Sequence, residues 1–106
     1  ATGTHSIRYG STVDHLLSAR VLLADGSPAT LAPLDAAAWA AKTRLAGAEG
    51  DVYRRVDALL RVHEAAVRRD TPVHWRRAGG YRLERMFAAP EVDRGPGRPW
   101  DGTRNL

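Results

Sequence analysis

Apolar positions along the chain follow two periodicities. From Asp51 to Arg69, Val52, Val56, Leu59, Leu60, His63, Ala66 and Val67 recur at three- and four-residue spacing. That period predicts an amphipathic helix with those residues as its apolar stripe, Leu59 and Leu60 facing the core. The opposite face carries Asp51/Arg55, Asp57/Arg61 and Glu64/Arg68, each acid four residues ahead of its arginine. This order favours ion pairs worth about 0.2–0.5 kcal/mol each. Thr71-Pro72 stops the helix, because proline disfavours helical backbone in the residue before it. A second, alanine-rich helix is expected over Asp35 to Leu45, capped by Asp35 and ended by Gly47 to Gly50.

The β signal is shorter. Arg20 to Leu23 reads as a strand, and Ala29 to Leu31, entered through Pro28, as its return. Asp25-Gly26 between them suits a two-residue turn with positive φ at both positions. Val21, Leu22 and Leu23 would then lie in a sheet needing more strands than these two. Residues 1–12 hold Gly3, Gly10 and five Ser/Thr, the composition of a loop closed by a tight turn. Val13 to Leu17 suits one helical turn capped by Thr12. Val73 to Trp75 suits a short strand, Leu83 to Phe87 a turn of helix, and 88–106 a loop. The fold class is α+β: a short antiparallel β-hairpin with packed helices.

Composition narrows the function classes. The 106 residues suffice for one domain or a large part of one. The chain opens Ala1-Thr2-Gly3 and its one methionine is Met86, so an internal segment of a longer protein is expected. It has no cysteine, which removes disulfides, thiolate ligands and thiol nucleophiles from the segment. Its longest apolar run, Val21 to Ala24, is far too short to span a membrane, and a soluble, cytoplasmic chain is expected. The formal charge is +4, with Lys42 the one lysine among sixteen basic residues. Acids are interleaved throughout, so a solvated surface is expected and not a nucleic-acid face. The alternative is a small basic α+β module binding nucleic acid or an acidic protein partner.

Candidate chemistry is sparse. His5, His15, His63 and His74 include no i,i+4 pair, so no metal site is expected. Ser6, His5 and Asp14 assemble a nominal triad without a nucleophile-elbow motif. Neither GxGxxG nor GxxxxGK[ST] occurs. The opening strip, Ala1-Thr2-Gly3-Thr4-His5-Ser6-Ile7-Arg8-Tyr9-Gly10, has small residues that let backbone amides approach a ligand, with hydroxyls beside them. Such a strip suits a flat polar cofactor edge or a phosphate; it equally suits a turn-rich connector.

The order of that strip, followed by Asp14-His15 and Val21-Leu22-Leu23-Ala24-Asp25-Gly26-Ser27, resembles FAD-linked oxidoreductases of the vanillyl-alcohol-oxidase type. Their FAD-binding domain is the PCMH type. The resemblance is to the glycolate oxidase and D-lactate dehydrogenase group, including bacterial forms fused to an iron–sulfur domain. Arg76-Arg77-Ala78-Gly79-Gly80-Tyr81-Arg82-Leu83 resembles the group's Arg-Arg-x-x-Gly-Tyr-Asn-Leu, departing from it at Arg82. The likeness covers 1–31 and 73–87 well, 35–70 only as a helical insertion, and 88–106 only as a variable loop.

The resemblance implies one partial FAD-binding domain. Residues 1–31 would be its flavin-side strip and hairpin, and 73–87 its Gly-Tyr segment. It implies FAD contacts through Ala1, Thr2, Gly3, Thr4 and His5, mostly by backbone and hydroxyl groups. His5 would sit near the substrate or flavin edge, or make a structural hydrogen bond. The implied reaction is oxidation of a small 2-hydroxy acid by hydride transfer to flavin, in a parent enzyme carrying the catalytic residues elsewhere. The segment alone is expected to be inactive and without FAD.

Overall fold

A computed structural model of the chain describes residues 3–71, 81–87 and 102–106. Ala1, Thr2, the expected strand Val73 to Trp75 and most of the expected 88–106 loop lie outside these. Two one-turn helices come first, α1 (Ser6–Tyr9) and α2 (Thr12–His15). The first departs from the loop expected over 1–12. The second starts one residue earlier than expected, with Ser11 and not Thr12 at its N-cap. The reason is Asp14, whose Oδ2 accepts from both the Ser11 amide (2.7 Å) and the Ser11 hydroxyl (2.8 Å).

Strands β1 (Ala19–Leu22) and β2 (Pro28–Leu31) pair antiparallel, with Val21 opposite Ala29 and Leu22 opposite Pro28. Ala19, Val21, Ala29 and Leu31 share the more buried face; Arg20, Leu22, Pro28 and Thr30 face outward. The turn is not the expected two-residue one. Leu23 N–H donates to the Ser27 carbonyl and Gly26 N–H to that of Leu23, both at 2.8 Å. Only Gly26 in this turn takes a positive φ, +81°. Asp25 keeps negative φ because its carboxylate accepts from the Ser27 amide (2.9 Å) and hydroxyl (2.6 Å), fixing a three-residue loop that ends in a left-handed glycine.

Asp35 caps α3 (Ala36–Thr43) as its position predicts, accepting from the Ala38 amide at 2.7 Å. Helix α4 runs Gly47–Asp70, longer than expected at its N-terminus. Gly47 to Gly50 do not end α3; they form the first turn of α4. Three residues make the reversal, and Arg54 reaches back from α4 to cap α3, donating to the Thr43 (3.0 Å) and Leu45 (2.7 Å) carbonyls. Gly50 is required there, because a Cβ on it would lie 1.9 Å from the Leu45 carbonyl oxygen. The chain then makes a short 3-10 helix, Leu83–Met86, within the turn expected at 83–87.

The core is Trp39 from α3, Tyr53 and Leu60 from α4, and Met86 and Phe87, flanked by Leu34, Val56, Val67 and Leu106. The rings of Trp39 and Tyr53 meet edge to face at 5.1 Å. The apolar stripe of α4 is therefore rotated from the expected one. Leu60 is 2% exposed, whereas Leu59 is 47% exposed and Val52 and His63 are also solvent-facing. Asp57 accounts for the shift. It faces inward because the Trp39 indole N–H and Arg61 satisfy it, so a polar position belongs to the core face. The three expected acid–arginine pairs form: Asp51–Arg55 at 3.1 Å, with Asp57–Arg61 and Glu64–Arg68 each at 2.8 Å.

The end of the 88–106 stretch is not free loop. Leu34 and Arg104 form an antiparallel bridge through mutual N–H···O bonds of 2.7 and 2.8 Å. The Arg104 guanidinium lies over Trp39, 5.7 Å from the ring centroid. Among the described residues no helix is long and apolar enough to cross a membrane.

Candidate functional site

Gly3, Thr4 and His5 are all exposed. Among the described residues no heavy atom lies within 4 Å of where a Cβ on Gly3 would sit. The strip then winds into α1, where the His5 carbonyl accepts from the Arg8 and Tyr9 amides, both at 3.0 Å. The His5 and Tyr9 rings meet edge-on at 6.4 Å, and the Arg8 guanidinium stands 5.4 Å from the centre of the exposed Tyr9 ring. His15 Nε2 donates to the Tyr9 carbonyl at 2.5 Å. Imidazole, phenol and guanidinium thus crowd one short turn beside the exposed backbone of the strip.

Gly10 sets the direction out of that turn. Its φ is +81°, and a Cβ there would sit 2.8 Å from Asp14 Oδ2. The other Asp14 oxygen accepts from Arg85 Nη2 at 2.9 Å, joining α2 to the 3-10 helix at a sequence separation of 71. Both side chains are largely buried, 10% exposed for Asp14 and 16% for Arg85. Burial pushes the Asp14 pKa up, but the Ser11 bonds and the Arg85 charge outweigh it, leaving the carboxyl below its usual range. Sequence reasoning placed Asp14 in a helical first turn and in a nominal triad; it did not find the Arg85 contact. The Ser11-x-x-Asp14 spacing is the local signal that would have placed the cap at Ser11 instead of Thr12, but nothing local signals a partner so distant in sequence.

Of the expected FAD-contact residues, Ala1 and Thr2 lie outside the described residues, while Gly3, Thr4 and His5 form one accessible run. Of the Gly-Tyr segment, Tyr81 is described and is exposed, and Arg82 is half-buried before the 3-10 helix. Asp14 is committed to Ser11 and Arg85, so the nominal Ser6, His5, Asp14 arrangement is not a relay oriented by that carboxylate. Among the described residues, no three His, Asp or Glu side chains converge as metal ligands. The arginines of α4 alternate with their acids and give that helix no single-sign face.

The polar side chains of the described strip before α1 are the Thr4 hydroxyl and the His5 ring, both on exposed residues. Comparison with known proteins adds no relative: no family model, curated protein or solved structure matches this chain.

Proposed function

We propose that the chain is a segment of the FAD-binding domain of a flavin-linked dehydrogenase or oxidase. In this reading the intact enzyme oxidises a small 2-hydroxy acid of the D-lactate or glycolate type. The observation that carries the reading is the ordered motif from Ala1 to Gly10, with Asp14-His15 and Arg76 to Leu83 in the same order as in that group. Two structural features support it. Gly3, Thr4 and His5 are exposed, and among the described residues a Cβ on Gly3 would meet nothing within 4 Å. The two-stranded hairpin leaves Leu22 on its outward face 76% exposed, and neighbouring Leu17 is 79% exposed. Apolar positions of that kind are expected where a larger sheet or further chain covers them.

The residues present have a binding task. Thr4 and the backbone around Gly3 hold and orient the isoalloxazine edge, and Gly3 keeps that approach close. Bound flavin supplies the hydride acceptor; this segment supplies position and hydrogen bonds. A cytoplasmic setting accompanies the reading. By itself the segment holds one of several contact regions and is expected neither to retain FAD nor to turn over substrate.

The test is the flavin content and melting temperature of the intact protein, wild type against Gly3→Val, with FAD in excess. The open space around Gly3 means valine meets no steric obstacle within the described chain. Reduced flavin occupancy with an unchanged apoprotein melting temperature is the expected result. Wild-type occupancy would remove Gly3 from the cofactor site and the reading with it.

A further inference from the structure

We infer that Arg85 is a positioning residue for the opening strip, acting through Asp14 to hold α1, α2 and the run before them against the helical core. As a cofactor-positioning role this rests on the flavin reading; as a mechanical one it stands on contacts alone. Arg85 lies between buried Glu84 and buried Met86, and Phe87 follows in the core, so its backbone moves with the α4 face. Its guanidinium reaches Asp14 Oδ1 at 2.9 Å, with both side chains shielded from water.

Asp14 passes that restraint toward the strip. Its second oxygen holds the Ser11 amide and hydroxyl, and the Gly10 turn closes so tightly over it that a Cβ would touch that same oxygen. From Gly10 the chain leads into Tyr9, whose carbonyl is held by His15 of the same α2 turn. Tyr9 and Arg8 in turn donate their amides to the carbonyl of His5. Hydrogen bonds alternating with short backbone steps thus connect Arg85 to His5, and Arg85, Asp14 and Ser11 act without touching a ligand. One charged contact in a partly desolvated setting thereby orients the strip from His5 to Gly10.

The first measurement uses the chain itself. Backbone 15N order parameters for His5 to His15 should approach the rigid value of about 0.85 in the wild type and fall below about 0.6 in Arg85→Met. Those of Tyr53 to Leu60 in α4 should be unchanged, and Arg85→Lys, which keeps a donor and the charge, should restore order to the strip. If Arg85→Met fails to fold, Asp14→Asn gives the same reading from the milder side. A strip that stays rigid without the pair, or is already mobile with it, overturns the inference.

The second measurement uses the intact protein. Arg85→Met should weaken FAD binding about tenfold, the effect of losing one charge-assisted bond, and Arg85→Lys should recover most of it. If Gly3→Val lowers flavin occupancy while Arg85→Met does not, the positioning role fails and the flavin reading survives. If Gly3→Val has no effect, the flavin reading fails, and the order-parameter result alone judges the mechanical role.

Discussion

The Trp39 indole N–H donates to Asp57 Oδ1 at 3.0 Å, tying a core aromatic ring of α3 to a carboxylate on the inner flank of α4. Arg61 holds the other oxygen of the same carboxylate at 2.8 Å. Burial acts to raise the Asp57 pKa, but the Arg61 and Trp39 bonds and the charges of Arg61 and Arg104 prevail, so it lies below the ordinary 3.8. A carboxyl whose pKa is depressed by folding stabilises the fold fully above its unfolded value and loses that contribution as pH falls through the folded one. Urea unfolding of the wild type should therefore show stability falling below about pH 4, and Asp57→Asn should show a shallower fall. At neutral pH the variant should be less stable by roughly 1 kcal/mol, since an amide still accepts from Trp39 but loses the charge pairing.

Leu60 and Leu59 are adjacent, yet they differ sharply in burial. Leu60→Ala should destabilise by about 2–5 kcal/mol, the usual cost of a buried leucine truncation. Leu59→Ala should cost less than about 1 kcal/mol, because its side chain already meets water. Equal losses in chemical denaturation would place the core face elsewhere.

That pair also shows what the sequence discloses about α4. The period of its apolar residues locates the helix, and the i,i+4 charges mark its outer face correctly at Arg55, Arg61 and Arg68. The phase of the stripe is another matter. It depends on Asp57 being satisfied by Trp39 and on Tyr53 packing against that same ring, contacts that arise only when α3 folds back. The hairpin was legible through Asp25-Gly26, but its loop length was not, because the Asp25 carboxylate bonding to Ser27 selects a different turn. At the candidate site the strip is visible as composition and order. The Asp14–Arg85 contact is not, since it joins segments with no local signal in common.

Gly50→Ala offers a sharp reversal of helix propensity. Alanine is favoured over glycine inside a helix by about 0.8–1.0 kcal/mol. Here the added methyl would lie 1.9 Å from the Leu45 carbonyl oxygen, part of the backbone that Arg54 holds in place. The variant should lose about 1–3 kcal/mol, as overpacked sites do. A melting temperature equal to or above that of the wild type would show that the α3–α4 reversal yields easily.

The Tyr53 hydroxyl is buried without a hydrogen-bond partner among the described residues. Removing it while keeping the ring preserves the edge-to-face contact with Trp39 and relieves a desolvated polar group. Tyr53→Phe should be neutral or stabilising by up to about 1 kcal/mol in thermal unfolding. A clear destabilisation would reveal a hydroxyl partner outside the described residues.

The bridge between Leu34 and Arg104 has a consequence for the order of folding. The α3–α4 pair assembles from neighbours in sequence and closes only a short loop, so it forms early. Arg104 over Trp39 and Leu106 against the core come from much further along the chain and carry a larger loop-closure entropy. During synthesis Trp39 and Tyr53 therefore meet while one side of their cluster is still open to solvent. Residues 104–106 seal that side only once they have left the ribosome, so the finished core belongs to the longer stretch of chain and not to its helical hairpin.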